Sequence, residues 1–159
     1  MITAVDTNII LDVLIPGEPF GESSKKLLDH HLSKGKLIIC EIVFAELAAE
    51  FPSEEELTLF LTDTGMRLVY SNENSLFVAG SRWTKYARKV AKKPFSCSKC
   101  GHAFEVTCPQ CAAKPTKRLL VLGDFFIGAH ALVHAECILS RDLGVYKTYF
   151  DDLQVIGSI

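Results

Sequence analysis

The sequence predicts an α/β domain, and three observations carry the prediction. Short apolar, partly β-branched runs at residues 2–5, 36–40, 66–70 and 138–140 read as buried strands. Between them lie longer stretches with helical spacing, start signals and stop signals. The chain of 159 residues is the size of one domain, long enough to bury roughly two thirds of its surface in a single core.

The opening strand, Ile2 to Val5, runs into Asp6-Thr7-Asn8, three residues of the helix N-cap type. A carboxylate is thus delivered to the end of a core strand, where a helix begins. In open α/β sheets the crevice beyond the carboxyl ends of the strands is the usual ligand site. A helix over 8–14 is ended by Pro16-Gly17, and 18–22 is a loop. Ser23 or Ser24 caps a helix through Leu32, closed by Lys34-Gly35. In the second strand, 36–40, Cys40 reads as a small buried hydrophobe.

The helix expected over 41–51 carries an unusual acid. Glu46 falls one turn after Ile42 and Val43 and one turn before Ala49, on a largely apolar face where a carboxylate is costly unless paired. An edge position on an amphipathic helix is the plainer reading. Glu41 and Glu50 read as exposed. Pro52 stops this helix, and Ser53 with Glu56 opens the next as a capping box that runs to Thr64 and Gly65. After the strand at 66–70, a helix over 75–91 becomes basic as it proceeds, with Arg82, Lys85, Arg88, Lys89 and Lys92 at helical spacing. A solvated face with cations favoured near the helix C-terminus explains them equally well.

Residues 94–115 break the rhythm. Cys97 and Cys100, then Cys108 and Cys111, form two C-x2-C pairs, with Gly101 and Pro109 placed to tighten the two knuckles. Four thiolates in this spacing are the ligand set of a tetrahedral Zn2+, and so short a segment cannot hold a fold by apolar burial. A dithiol redox pair or two disulfides are the competing readings, and spacing does not separate iron from zinc. His102 is expected to face solvent, with Phe95 and Phe104 packed around the knuckles.

The helix expected over 125–135 is so apolar that it must be central, with Gly128, Ala129 and Ala131 permitting close approach and Asp124 at its N-terminus. The strand at 138–140 delivers Asp142 just past its end, as a turn residue before Gly144, and a last strand is expected within 153–156.

Net charge is −2, but the window from Arg82 to Arg118 carries +9 and the remainder −11. No basic region precedes an apolar run at the N-terminus, and no apolar run reaches the ~18 residues of a membrane span, so a cytoplasmic protein is expected. In that reducing compartment the six cysteines are metal ligands or buried thiols rather than a disulfide framework.

Singly, Asp6 and Asp124 are ordinary N-caps and Asp142 an ordinary turn residue. Together with Glu46 they stand where the ends of a parallel sheet can converge. Clustered carboxylates repel unless a cation sits among them, and a hard ion such as Mg2+ or Mn2+ takes oxygen ligands of this kind. That is the outline of a phosphodiester hydrolase.

Four segments carry a family resemblance: Val5-Asp6-Thr7-Asn8, Ile42-Val43-Phe44-Ala45-Glu46-Leu47, Asp124-Phe125-Phe126-Ile127-Gly128-Ala129-His130-Ala131 and Ser140-Arg141-Asp142. In this order the chain resembles the PIN-domain ribonucleases, and within them the VapC-type toxins of bacterial toxin–antitoxin pairs. The likeness takes in Tyr146 to Phe150 and covers nearly everything outside about 94 to 118. It implies a single PIN-like domain over 1–159, a three-layer fold with a central parallel sheet flanked by helices. It implies Asp6, Glu46, Asp124 and Asp142 as a catalytic, Mg2+- or Mn2+-binding set, with Thr7, Asn8 and Ser140 as supporting polar residues. It implies RNA cleavage, homodimers and a small cognate antitoxin.

The departure is the zinc-ribbon-like insert at 94–118, where relatives carry a short loop. With two negative charges assigned to a Zn(Cys)4 centre, residues 82–118 still carry about +7, which suits phosphate contacts. The candidate RNA-binding residues are Arg82, Lys85, Arg88, Lys89, Lys92, Lys93, Lys99, Lys114, Lys117 and Arg118. A metal staple closing a long loop is the alternative. For the whole chain the alternatives are a housekeeping PIN nuclease of RNA processing and a catalytically silent binding module for RNA or protein.

Overall fold

The computed structural model describes residues 1–91, 94–97, 99–114 and 122–157. Its main sheet contains β1 (Ile2–Val5), β2 (Lys36–Ile39), β3 (Met66–Leu68), β6 (Cys137–Leu139) and β7 (Val155–Ile156). The strand order is β3-β2-β1-β6-β7 and every pairing is parallel. The chain therefore starts at the centre, builds outward to β3, and returns to β1's other side. Two neighbouring strands, β1 and β6, mark the point where the winding reverses.

A parallel sheet is buried on both faces, which is why these strands read as continuous apolar runs. Ala4, Val5, Leu37, Ile38, Ile39, Ile138 and Leu139 are all buried. The flanking helices are α1 (Thr7–Leu14), α2 (Gly21–Lys34), α3 (Glu41–Leu47), α4 (Glu54–Asp63), α5 (Glu73–Ala91), α6 (Leu122–His134) and α7 (Leu143–Tyr149). Among the described residues no helix is long and apolar enough to cross a membrane. A separate antiparallel pair, β4 (Phe95–Ser96) and β5 (Ala103–Phe104), opens the cysteine segment. The Phe95 and Phe104 rings lie 6.4 Å apart across that pair.

The central helix is α6, as its composition demands. Phe125, Ile127, Gly128, Ala129, His130 and Ala131 are buried. At Gly128 an added Cβ would stand 2.9 Å from the Phe150 ring and 3.0 Å from the Tyr146 ring, so only glycine admits this approach of α6 to α7. Phe125 meets Tyr86, Tyr149 and Phe150 at centroid separations of 5.5, 5.5 and 5.9 Å, joining α5, α6 and the end of α7 in one aromatic cluster.

Several local expectations are corrected. The third helix stops at Leu47 rather than Phe51. The fifth begins at Glu73 rather than Ser75, because the Asn72 carboxamide accepts from the Ser75 N–H at 2.9 Å and caps the helix. Ser24 does not cap α2; its hydroxyl donates to buried Asp12 at 2.6 Å. Glu41 is not a free surface acid, since it accepts from both the N–H and the hydroxyl of Ser71 at 3.1 Å. Asp142 is more than a turn residue: its carboxylate accepts from the Gly144 N–H at 2.9 Å and caps α7, a helix the sequence reading does not contain.

Replacing Gly128 with alanine tests the packing. Overpacking of this kind costs about 1–3 kcal/mol, and the expected result is a lower urea midpoint with an unchanged slope.

Candidate active site

The winding reverses between β1 and β6, and the carboxyl ends of these two strands carry the polar residues. Asp6 follows β1 directly and is buried. Although it occupies the N-cap position of α1, its side chain makes no capping bond. Its Oδ2 instead accepts from the Ser140 hydroxyl at 2.6 Å, the Asn8 carboxamide at 2.8 Å and the Tyr146 phenol at 3.2 Å. Three donors on one oxygen fix the plane of the carboxylate.

The supporting residues are themselves tied together. Asn8 donates to the Ser140 hydroxyl oxygen at 3.2 Å and accepts from the Arg141 N–H at 3.1 Å. The Asp142 N–H donates to the Ser140 oxygen at 3.0 Å. The Thr7 hydroxyl donates to Glu46 Oε2, anchoring the one acid that comes from α3. Thr7, Asn8 and Ser140 thus all hydrogen-bond to Glu46 or Asp6.

Glu46 itself is exposed, not buried in an apolar face, which corrects the worry its helix position raised. An added Cβ on Gly123 would lie 3.5 Å from Glu46 Oε1, so the start of α6 passes directly beside it. Asp124, the next residue, lies in the third position of α6 and is half-buried. Its carboxyl is pushed up to about 6, by burial first and then by the charges of Asp6, Asp142 and Glu46. The four acids therefore share one electrostatic field. Burial also raises Asp6, against the pull of its hydroxyl bonds and with a contribution from Glu46. Burial and the neighbouring acids hold the Tyr146 phenol firmly protonated, as its donation to Asp6 requires.

Among the described residues no three His, Cys, Asp or Glu side chains are gathered closely enough to hold one ion between them. The donor chemistry is nonetheless that of a hard cation, all oxygen and all anionic. Mg2+ is commonly held by only one or two carboxylates, with waters and substrate phosphate completing its shell.

Two residues that matter to this site escaped the sequence reading. Tyr146 is one. Asp12 is the other: fully buried on α1, it accepts from the Ser24 hydroxyl and from Arg141 Nη2, each at 2.6 Å. Arg141 lies between Ser140 and Asp142, and its guanidinium also stands 4.6 Å over the Phe20 ring. Neither partner of that pair carries a local signal, because they are 129 residues apart.

The basic residues are less uniform than their spacing suggests. Arg82 is committed within the fold: it pairs with both oxygens of Asp152 at 2.7 and 2.6 Å, donates to the Tyr149 carbonyl at 2.8 Å and stacks over Phe150. Lys89 stands 5.9 Å over the Tyr149 ring, and Lys114 pairs with Glu105 at 3.1 Å on the surface. Lys85 and Arg88 border an open groove along α5 that also contains Phe77 and Trp83. Lys99 is exposed. Lys92, Lys93, Lys117 and Arg118 lie outside the described residues.

The electrostatics give a thermal prediction. The native state raises Asp124 from 3.8 to about 6, so it holds the proton more tightly than the unfolded chain, and stability falls as pH rises through that interval. Asp124→Asn is expected to raise the Tm at neutral pH, with the gain fading as pH falls through about 6 toward 3.8. Melting curves of both proteins across that range check it.

Known proteins share this fold. The family model described as PIN domain matches residues 3–151. No curated protein matches the sequence. Among solved structures, the chain is similar to VapBC2 from Rickettsia felis bound to a DNA fragment from its promoter, with TM-score 0.63, 17% identity, and 99% of this chain and 98% of that one covered. It is also similar to VapBC-1 from nontypeable Haemophilus influenzae, with TM-score 0.59, 20% identity, and 99% and 98% covered. FitAcB from Neisseria gonorrhoeae gives TM-score 0.59 and 18% identity over 98% and 96%. The family model covers most of the chain and the solved structures share its fold; the chain belongs to the PIN-domain family, whose members are generally nucleases.

Proposed function

We propose that this chain is a Mg2+- or Mn2+-dependent endoribonuclease, the toxin of a type II toxin–antitoxin pair. The observation that supports it best is the nearness of Asp6, Glu46, Asp124 and Asp142: burial, and after it the charges of the other three acids, push Asp124 up to about 6. Four acids in mutual repulsion destabilise a protein unless a cation or its equivalent relieves them. A divalent ion at this position would polarise a phosphoryl oxygen and lower the pKa of a bound water.

Each chain residue has a definite part. Asp6, locked by Ser140, Asn8 and Tyr146, offers its carboxylate in one fixed orientation. Thr7 orients Glu46, and Asp142 keeps its carboxylate at the N-terminus of α7 through the Gly144 N–H. Asp124, pushed up to about 6, would hold its proton less readily beside a bound cation.

The solved neighbours bear the names of VapBC and FitAB toxin–antitoxin pairs, which supports a small antitoxin as partner. A homodimer in the cytoplasm, with RNA as substrate, completes the reading. So does a role for the basic residues Lys85, Arg88, Lys89, Lys92, Lys93, Lys99, Lys114, Lys117 and Arg118 in contacting phosphates.

Cleavage of end-labelled RNA tests the central statement. Cutting is expected with Mn2+, is lost with EDTA, and is lost in Asp6→Asn, which controls for contaminating nuclease. Absence of cutting by folded wild-type protein that binds no Mn2+ would overturn it.

Neutralising Lys92, Lys93, Lys99 and Lys114 together tests the part given to the basic residues. Weaker RNA binding is expected, with the slope of log affinity against log salt shallower by about 0.7 for each phosphate no longer neutralised. An unchanged slope removes these lysines from the RNA surface.

A further inference from the structure

The two cysteine knuckles are built alike, residue for residue. In the first, the Cys97 sulfur accepts from the N–H groups of Lys99 and Cys100 and lies within hydrogen-bond reach of the Cys100 thiol. The Cys97 carbonyl accepts from the Gly101 N–H, and the Cys97 N–H donates to the His102 carbonyl, both at 2.9 Å. In the second, the Cys108 sulfur accepts from the N–H groups of Gln110 and Cys111 and reaches the Cys111 thiol. The Cys108 carbonyl accepts from the Ala112 N–H, and the Cys108 N–H donates to the Ala113 carbonyl, both at 2.8 Å.

The backbone repeats as well. The residue after the second cysteine is left-handed in both knuckles, with φ 74° at Gly101 and 56° at Ala112. Among the described residues Ala112 is the only non-glycine with positive φ, a conformation unfavourable for any residue with a Cβ. The second knuckle thus adopts the geometry of the first against its own sequence. All four thiols are free, and none is joined in a disulfide.

We infer that Cys97, Cys100, Cys108 and Cys111 hold one Zn2+ as a tetrahedral thiolate centre, distinct from the carboxylate site and fixing the segment between α5 and α6. The tether permits it: Phe104 pairs with Phe95, two residues before Cys97, and Cys108 follows Phe104 by four residues, a span of at most ~14 Å. As the side chains stand, no three of them share a single ion-sized position among the described residues. The ion must therefore draw the second knuckle onto the first, so that binding zinc and ordering the segment are one event. The four thiol protons pass to solvent as the ion enters. His102 is exposed, consistent with four sulfurs completing the set.

Elemental analysis of the full chain, purified without a metal-affinity tag, is expected to find one zinc per chain. Asp6→Asn should keep that ion and the double variant Cys97→Ser, Cys108→Ser should lose it. Should that variant fold poorly, Co2+ titration of zinc-stripped wild type supplies the second reading. Intense thiolate-to-cobalt charge transfer saturating at one equivalent is expected, together with slower tryptic cutting at Lys99 and Lys114. Protein that takes up neither Zn2+ nor Co2+, that carries iron instead, or that isolates with Cys97–Cys100 and Cys108–Cys111 disulfides overturns the assignment. None of these outcomes depends on whether the chain cuts RNA.

Discussion

A buried carboxylate is the constraint that the rest of this structure answers. Asp6 ends the central strand, out of water, where an ionised group is costly unless donors surround it. The donors come from the two ends of the chain: Asn8 on α1, and Ser140 beyond β6 with Tyr146 on α7. To bring them to one oxygen, β6 must lie beside β1, and α7 must press against α6. That second demand explains Gly128, where any side chain would collide with Tyr146 and Phe150. The polar centre and the apolar core are in this sense one design, since the phenol that bonds Asp6 belongs to both.

Much of this was legible beforehand because parallel strands and helix caps leave strong local marks. The four core strands were readable from apolar runs, and Asp6 and Asp142 from lying just past two strand ends. Ser53 capped α4 as the capping-box pattern requires, its hydroxyl accepting from the Glu56 N–H at 3.3 Å. The failures have a common physical cause. Asp, Asn and Ser serve caps, turns and buried networks with the same atoms, and only the fold decides among these uses. Asp142 before Gly144 read as a turn and is the cap of α7; Ser24 read as a cap and is a buried donor to Asp12. Tyr146 lay within the family likeness but carried no assigned role, because its phenol acts across 140 residues of sequence.

Charge counting had a similar limit. The basic window between Arg82 and Arg118 is real as a sum, but its members differ in what they are free to do. Arg82 is a clasp, tying α5 to the chain beyond α7 through Asp152 and the Tyr149 carbonyl while lying across Phe150. A planar, bidentate cation suits such a post in a way a lysine would not. Lys99 and Lys114 stand in the cysteine segment, which has little core of its own. The surface they present depends on how that segment is ordered.

The ion pair between Arg141 and Asp12 gives the site an unequal suspension. Ser140 is tied to Asp6 on one side of Arg141, and Asp142 opens a helix on the other. The guanidinium between them reaches back to α1, with Phe20 lying over it. The turn after β6 is therefore pinned to the first helix of the chain by a side chain, not only by the sheet. Asp6 and Asp142 hang from the same helix, one by the backbone and one by that cross-link, so a displacement of α1 carries both acids with it. Glu46 rides on α3 but is tied back to the first residue of α1 by the Thr7 hydroxyl. Three of the four acids are thus referred to α1, and Asp124, at the beginning of α6, is the one whose position α1 does not fix by a side-chain bond among the described residues.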